Sequence, residues 1–178
     1  VLGIESARQT VARLKKGRRA EELEQFALND SMTGMYNRNA YDYFVKNEKD
    51  FEGYVIVTFD LNNLKQCNDQ YGHRAGDEYI INAAHIIEDN FERYGKCYRI
   101  GGDEFCCIIP KGRYFKIERV MHKIDQDVEI LNHKNIIPVP VGIAYGYAVF
   151  TADDTDPEKV RERADKDMYR NKKTMKQS

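Results

Sequence analysis

The stretch Tyr-Arg-Ile-Gly-Gly-Asp-Glu-Phe-Cys-Cys-Ile-Ile, residues 98–109, contains the residues that decide the fold. Apolar, strand-like runs lie on both sides of Gly101 and Gly102, which accept positive φ angles and let another backbone approach closely. The pattern predicts a β-hairpin whose tight turn carries the carboxylates of Asp103 and Glu104. Neighbouring side chains in a strand point to opposite faces, so we expect only one of the two acids to point the same way as any given partner. We choose Asp103, the acid nearest the glycines, as the candidate metal ligand.

A Gly-Gly-Asp turn on its own commonly does no more than close a hairpin. Here the run from Gly101 to Phe105 is accompanied by three further segments: LNDSMTGMYNRNAYDYF (28–44), VIVTFDLNNLKQCNDQYGHRAGDEYI (55–80) and RADKDMYRNKK (163–173). In this order and spacing the four segments resemble the GGDEF-domain family, the diguanylate cyclases. The resemblance extends from Leu28 to Lys173.

Length and charge bound the class of protein. The 178 residues suit one domain with an appendage. The 28 basic and 29 acidic residues give a formal net charge of -1, which argues against general nucleic-acid binding. The sequence has no long apolar run and no signal-peptide pattern, so we expect a cytoplasmic domain without membrane contact. It begins at Val1 rather than Met, and we expect an upstream sensor, which a membrane anchor could accompany.

The four cysteines favour the same compartment. Cys67, Cys97, Cys106 and Cys107 form no CxxC pair of the zinc-binding type, and the last two are adjacent in a predicted strand. We expect reduced, structural thiols, as in a cytosolic protein.

The first segment, from Ile4 to Phe26, has the pattern of a helix. Apolar residues spaced three and four apart begin a coiled-coil seam, which Gly17 then interrupts. A solvated surface helix and a signalling helix, such as the family resemblance implies, both stay open. Turn-forming residues from Leu28 onward place the boundary there, with residues 1–27 as a linker helix and residues 28–178 as the catalytic domain.

The run from Tyr54 to Phe59 is apolar apart from Thr58, which predicts a central strand buried on both faces. It ends at Asp60, a residue that alone would suit a helix cap. A carboxylate at a strand exit near an acidic hairpin also suits Mg²⁺ (or Mn²⁺), which prefers oxygen ligands. The resemblance implies that Asp60, the Leu61 carbonyl and Asp103 hold this metal.

The resemblance also implies a set of substrate-binding residues, namely Lys65, Asn68, Asp77, Gly101, Gly102, Lys172 and Lys176. Lys65 and Lys172 match lysines that contact phosphate. Lys176 stands where the family usually has an arginine, so the charge is kept while the bidentate geometry is lost. Asn62 is a further departure, because the family commonly has a second Asp there.

The assignment of guanine to Asn68 and Asp77 agrees with hydrogen-bond chemistry. Guanine presents N1–H and N2–H₂ donors beside its O6 acceptor, so Asp77 can accept from the donors while the Asn68 amide both donates and accepts. Adenine lacks that pair of donors and would leave a buried carboxylate unpaired. We therefore expect Asp77 to disfavour adenine strongly.

The remaining elements complete an α/β pattern. We predict a helix over 38–47, amphipathic helices over 75–91 and 117–131, and a strand or pair of strand pieces over 138–150 with Gly142 and Gly146 as bulges. Asp156 and Pro157 start the last helix. The expected fold is a mixed, largely antiparallel central sheet flanked by helices, similar to the palm of nucleotidyl cyclases and polymerases.

The resemblance implies a reaction and an assembly. Two GTP molecules would condense to cyclic di-GMP and two pyrophosphates, with Asp103 or Glu104 helping to remove the proton of the attacking hydroxyl. Each domain would carry one GTP, so catalysis would need a homodimer. The domain would be the output domain of a bacterial signalling protein. Two alternatives are a degenerate domain that binds GTP for regulation, and a palm-type nucleotidyl transferase for another base or a nucleic-acid end.

A motif that many family members use to bind the product is missing. In that RxxD motif the Arg position corresponds to Glu92 and the Asp position to Gly95. Glu92 repels a dianionic ligand, Gly95 has no side chain, and Arg93 is one residue out of register. We expect no product inhibition of the usual kind.

Overall fold

The computed structural model describes residues 27–112 and 116–175, so the predicted helix from Ile4 to Phe26 and the predicted ligand Lys176 lie outside the described residues. The elements follow in the order α1 (Arg38–Asn47), β1 (Val55–Asn62), α2 (Leu64–Tyr71), α3 (His73–Phe91), β2 (Lys96–Arg99), β3 (Glu104–Ile109), α4 (Ile117–His133), β4 (Gly142–Val149) and α5 (Pro157–Met175). None of these helices combines the length and the apolar composition needed to cross a membrane.

The four strands form one sheet in the order β2-β3-β1-β4, and all three pairings are antiparallel. A parallel bridge between Tyr36 and Tyr98 adds a short irregular piece beside β2. The predicted fold class, a largely antiparallel sheet with flanking helices, is confirmed. β1 lies in the middle of the sheet, so the residues at its end are reached from both neighbouring strands.

The side chains of β1 alternate between two buried clusters. Val57 and Phe59 pack with residues of α3 and α4, whereas Ile56 packs with residues of α1 and α5. The sheet is therefore covered by one helical layer on each face, which confirms the prediction for this strand. Phe59 is 1% exposed. Its replacement by Ala would lower the free energy of unfolding by about 3–5 kcal/mol, because the surrounding side chains cannot close the cavity.

The predicted bulges at Gly142 and Gly146 are wrong, because β4 pairs with β1 without interruption from Val55–Val149 to Asn62–Gly142. Gly146 has a different reason to be glycine. A Cβ atom there would lie 2.0 Å from the Met168 backbone nitrogen, so α5 packs directly on the backbone of β4.

Side chains of α5 also bond to the outer edge of β4. Asn171 donates to the Tyr145 carbonyl (2.9 Å), Asp167 accepts from the Tyr147 N–H (3.2 Å), and Arg163 donates to the Val149 carbonyl (3.0 Å). The helix residues are four apart and the strand residues two apart, so the two repeats match in length. These bonds fix α5 along the strand.

The helix boundaries largely follow the predictions. α1 has the predicted bounds, with Asn37 as its cap, and α3 begins two residues before the predicted start at Ala75. Asp156 accepts from the Glu158 N–H at 3.0 Å, as expected of the cap of α5. All four cysteines are buried, with Cys97 and Cys107 facing each other across β2 and β3.

Candidate active site

β2 and β3 form the predicted hairpin, and its turn lies at residues 100–103. Neither Gly101 nor Gly102 adopts the positive φ that the sequence analysis allowed for. A Cβ atom on Gly101 would lie 2.9 Å from Oε2 of Glu104, an exposed side chain that can move aside, so close approach does not by itself require glycine here. A Cβ atom at Gly102 would meet no atom within 4 Å, so this glycine leaves open space beside the turn.

The turn touches the central strand through its backbone. The Leu61 N–H donates to the Asp103 carbonyl at 3.1 Å, and the Leu61 carbonyl leaves the strand on the same edge, toward the turn. Asp60 lies directly opposite Glu104 in the register, so both acids belong on the same face of the sheet. The sequence predicted Asp60 at the exit of β1. This position is wrong, because pairing with β4 continues to Asn62 and Asp60 therefore lies inside the strand.

Lys172 contributes a positive charge to this acidic group. Its Nζ contacts Oδ1 of Asp60, and the side chains are 24% and 20% exposed respectively. Lys172 is on α5 and Asp60 is on β1, so the two residues are far apart in the sequence. Two like charges opposite each other on neighbouring strands destabilise a sheet, and the ammonium group offsets that repulsion at Asp60.

Arg99 positions the hairpin turn, a role that no pattern in the sequence indicates. Its side chain, 11% exposed, donates to the carbonyl oxygens of Gly101 (3.2 Å) and Gly102 (2.9 Å) and pairs with Asp30 (3.1 Å). Burial opposes ionisation of Asp30, but hydrogen bonds from Thr33 and Arg99 outweigh it and hold the pKa of Asp30 below its usual range. Arg99 thus joins the start of the domain to the hairpin turn.

The ends of β1 and β4 are held together by one phenol. Tyr79 donates to the Asn62 carbonyl (2.5 Å) and accepts from the Gly142 N–H (2.7 Å). Burial raises the pKa of Tyr79 to about 12, so the phenol stays protonated at neutral pH. The Oδ1 atom of Asn62 is buried and has no hydrogen-bond partner among the described residues. Asn63, with a φ of 62°, then turns the chain sharply into α2.

The predicted guanine-binding residues lie on α2 and α3. Asn68 packs against Gly76, where a Cβ atom would lie 1.9 Å from the Asn68 Oδ1, so the two helices are in close contact at this point. Asp77 follows Gly76 and is exposed. Lys65 is also exposed and pairs with Asp69 on its own helix at 2.7 Å, and this hydrogen bond raises the pKa of Lys65.

The structure therefore brings the predicted site residues together in two groups. The first lies at the hairpin turn: Asp60 contacts Lys172 and lies opposite Glu104, and Asp103 joins it through its backbone carbonyl, which accepts from the Leu61 N–H. The second contains Asn68 and Asp77 at the contact between α2 and α3. Lys65 is joined to neither group by a hydrogen bond, because its ammonium contacts Asp69.

The donors of the first group fit a hard divalent cation. They are carboxylate and carbonyl oxygens, the ligands that Mg²⁺ and Mn²⁺ prefer. The ammonium group of Lys172 contacts Asp60, which shows that this carboxylate can bind a cation. Within residues 27–112 and 116–175 no three His, Cys, Asp or Glu side chains gather into a ready-made metal cage. The remaining ligands would come from a backbone carbonyl, water and phosphate.

The segment where the product-binding motif is missing lies at the end of α3 and before β2. Glu92 caps the end of α3, and a Cβ atom on Gly95 would lie 2.1 Å from the Ile108 carbonyl oxygen. No side chain fits at position 95 without moving β3. Arg93 lies over the Tyr94 ring at 4.7 Å and lines a cavity of about 200 Å³ with Lys116, Arg119 and Lys123.

An antiparallel sheet between helices, with an acidic hairpin turn against its central strand, is the architecture of the palm-like nucleotidyl cyclases. The family profile described as "Diguanylate cyclase, GGDEF domain" matches residues 27–178. The chain belongs to the GGDEF-domain family.

Two curated relatives show different activities in their names. The chain is 30% identical over 172 residues to the bifunctional diguanylate cyclase/cyclic di-GMP phosphodiesterase MucR of Pseudomonas aeruginosa, covering 92% of this chain and 24% of MucR. It is 30% identical over 156 residues to the cyclic di-GMP phosphodiesterase PdeR of Escherichia coli, covering 85% of this chain and 24% of PdeR. The chain thus spans about a quarter of the length of each relative.

A solved structure supports the fold independently. The coiled coil and GGDEF domain of DgcB from Caulobacter crescentus, determined in complex with cyclic di-GMP, superposes with a TM-score of 0.78. The alignment covers 97% of this chain and 95% of that one, at 23% sequence identity. At this identity the likeness establishes the architecture alone.

Proposed function

We propose that this domain is a diguanylate cyclase, which condenses two GTP molecules to cyclic di-GMP and two pyrophosphates. In this proposal residues 28–178 are the catalytic domain, residues 1–27 a linker, and the whole a cytoplasmic output module of a bacterial signalling protein. One observation carries the proposal: the bond between the Leu61 N–H and the Asp103 carbonyl holds the acidic turn against the strand that carries Asp60.

The residues of the turn would handle the metal and the proton. A bound Mg²⁺ (or Mn²⁺) would neutralise the triphosphate and lower the pKa of the attacking ribose 3′-hydroxyl. Asp60, the Leu61 carbonyl and Asp103 would hold it there. Asp103 or Glu104 would accept the hydroxyl proton as the oxygen bonds to the α-phosphorus and the bond to pyrophosphate breaks. The open space beside Gly102 would let phosphate approach the backbone.

The second group of residues would select the base. Asn68 and Asp77 would bind the hydrogen-bonding edge of guanine, while Lys65 and Lys172 would balance phosphate charge, each leaving its present carboxylate partner. Lys176 would add a further positive charge. Because each domain would hold one GTP, two copies must bring their turns together for the reaction, and the active species would be a homodimer.

The direct test is to incubate the purified domain with GTP and Mg²⁺ and to identify the products by chromatography. Formation of cyclic di-GMP and pyrophosphate, lost in Asp60→Asn, is the expected result. GTP that stays unchanged over a range of domain concentrations, including those that drive dimerisation, would contradict the proposal.

A second candidate is a domain that binds GTP without turnover and acts as a regulatory module. It is favoured by the match to PdeR, whose name contains a phosphodiesterase activity and no cyclase activity. The same incubation distinguishes the two, since this module would bind GTP in calorimetry and form no product.

A further inference from the structure

We propose that Lys172 is the counter-ion of the metal site in the absence of nucleotide, and that it couples metal binding to nucleotide binding. In this inference, which rests on the proposed function, Lys172 competes with the divalent cation for Asp60. A triphosphate would draw the ammonium group away and thereby open the carboxylate to the metal.

The positive charge of Lys172 lies directly against the carboxylate of Asp60. Nζ of Lys172 contacts Oδ1 of Asp60, and both side chains are largely buried. A carboxylate has one negative charge, and a divalent cation within about 4 Å of an ammonium group is strongly repelled, more so where water is excluded. Lys172 and the metal therefore bind to Asp60 in competition.

The attachment of α5 to β4 keeps the backbone of Lys172 in place. The preceding residue, Asn171, bonds to the Tyr145 carbonyl, and the bonds of Asp167 and Arg163 to β4 extend this attachment over two further turns. Gly146 brings the helix backbone directly onto the strand. The ammonium group must therefore leave Asp60 by rotation of its own side chain.

Asp60 needs a positive partner when no metal is bound. Glu104 lies opposite Asp60 on the neighbouring strand and contributes a second negative charge to the same face. A lysine meets this need without filling the site permanently, because its flexible stem lets the charge swing to another anion. Phosphate oxygens of a triphosphate are such an anion.

Coupling of this kind is reciprocal. If nucleotide binding removes Lys172 from Asp60 and so raises the affinity for the metal, the metal must raise the affinity for the nucleotide by the same factor. The domain would then bind its metal weakly alone and tightly together with the triphosphate.

The test measures Mn²⁺ binding without nucleotide, using the electron paramagnetic resonance signal of the unbound ion. Lys172→Gln is expected to bind Mn²⁺ about tenfold more tightly than the unchanged chain, since the competing charge is gone. The matched control is Lys166→Gln, which removes the same charge from an exposed position on α5 and should leave the affinity unchanged. Adding Asp60→Asn to Lys172→Gln should abolish the gain.

Adding α,β-methylene GTP, which cannot react at the α-phosphorus, should tighten Mn²⁺ binding to the unchanged chain much more than to Lys172→Gln. Equal nucleotide-free affinities of the unchanged chain and Lys172→Gln would overturn the inference, as would an equal gain in Lys166→Gln or no measurable binding to Lys172→Gln. These readouts need no turnover. A chain that forms no cyclic di-GMP would refute the proposed function while the Mn²⁺ comparison still decides the role of Lys172.

Discussion

Arg99 and Asp30 form an ion pair between residues that are 69 positions apart in the chain, with 3.1 Å between Nη1 and Oδ1. The same guanidinium bonds to both glycine carbonyls of the hairpin turn. The segment at the start of the domain and the turn that carries Asp103 are therefore fixed relative to each other by one side chain.

Arg99→Ala should lower the free energy of unfolding by about 3 kcal/mol, because it leaves Asp30 and two carbonyls of the turn without their partner. Urea denaturation measures this loss. The control is Arg38→Ala, which breaks an exposed pair with Asp42 and should cost less than about 1 kcal/mol. Similar losses in the two variants would show that the Arg99 pair has no special role.

The Asp30 pair should also appear in the pH dependence of stability. Its pKa is lower in the folded chain than the ordinary value of 3.8, so the unfolded chain binds more protons in acid. The stabilisation is complete above the ordinary pKa and is lost as the pH falls through the lower, folded pKa. In Asp30→Asn the free energy of unfolding should be smaller at neutral pH and fall less steeply in acid. Parallel curves for the two proteins would refute this.

If the proposed metal site is right, Asp60→Asn and Asp103→Asn should each reduce formation of cyclic di-GMP by at least about a hundredfold, since each would remove a negative ligand with little change in size. Circular dichroism should show an unchanged fold. Asp42→Asn, an exposed acid on α1, is the control and should keep full activity. Near-normal product formation by either site variant would exclude that residue as a metal ligand.

If Asp77 reads guanine as proposed, Asp77→Ala should weaken GTP binding and narrow the preference for GTP over ATP by about tenfold or more, because the donor edge of guanine would lose its acceptor. Competition assays with both nucleotides measure the ratio. Its neighbour Glu78 is exposed and pairs with Arg74, so Glu78→Ala is a suitable control. If the ratio is the same in Asp77→Ala as in the unchanged chain, another residue recognises the base.

Cyclic di-GMP should not bind tightly beside the hairpin, since position 95 has no room for an acidic side chain and Glu92 repels phosphate. Calorimetry with Asp103→Asn, in which product formation should be strongly reduced, is the measurement. The test is demanding because the cavity lined by Arg93 is basic and could attract a phosphate ligand. Tight binding that disappears on adding Arg93→Ala would show that a different inhibitory site has replaced the missing motif.

The sequence predicted those features that depend on local patterns. The bounds of α1, the buried central strand and the hairpin all follow from turn residues and periodicity, and they are confirmed. The end of β1 was misplaced because the pairing of Asn62 with Gly142 involves a distant strand, which no local pattern reports.

The same distinction applies to the site. Asp60 and Asp103 could be proposed from their motifs, and these assignments stay predictions. The role of Arg99 depends on contacts with Asp30 and the turn carbonyls, and the contact of Lys172 with Asp60 depends on how α5 lies on the sheet. Gly146 was predicted to be a bulge, but it is a glycine because the backbone of α5 packs against it. A bulge and a close helix contact both favour glycine, so the sequence does not distinguish them.

Both edges of the sheet are blocked against further strands. Side chains of α5 occupy the outer edge of β4, while Tyr36 exchanges backbone bonds with Cys97 (3.2 Å) and Arg99 (2.8 Å) along β2. Exposed edges invite pairing between chains, which leads to fibres and aggregates. With its edges covered, this domain can be crowded against a second copy without the two sheets merging into one. Any contact between two copies would then be made by side chains and loops and not by pairing of strands.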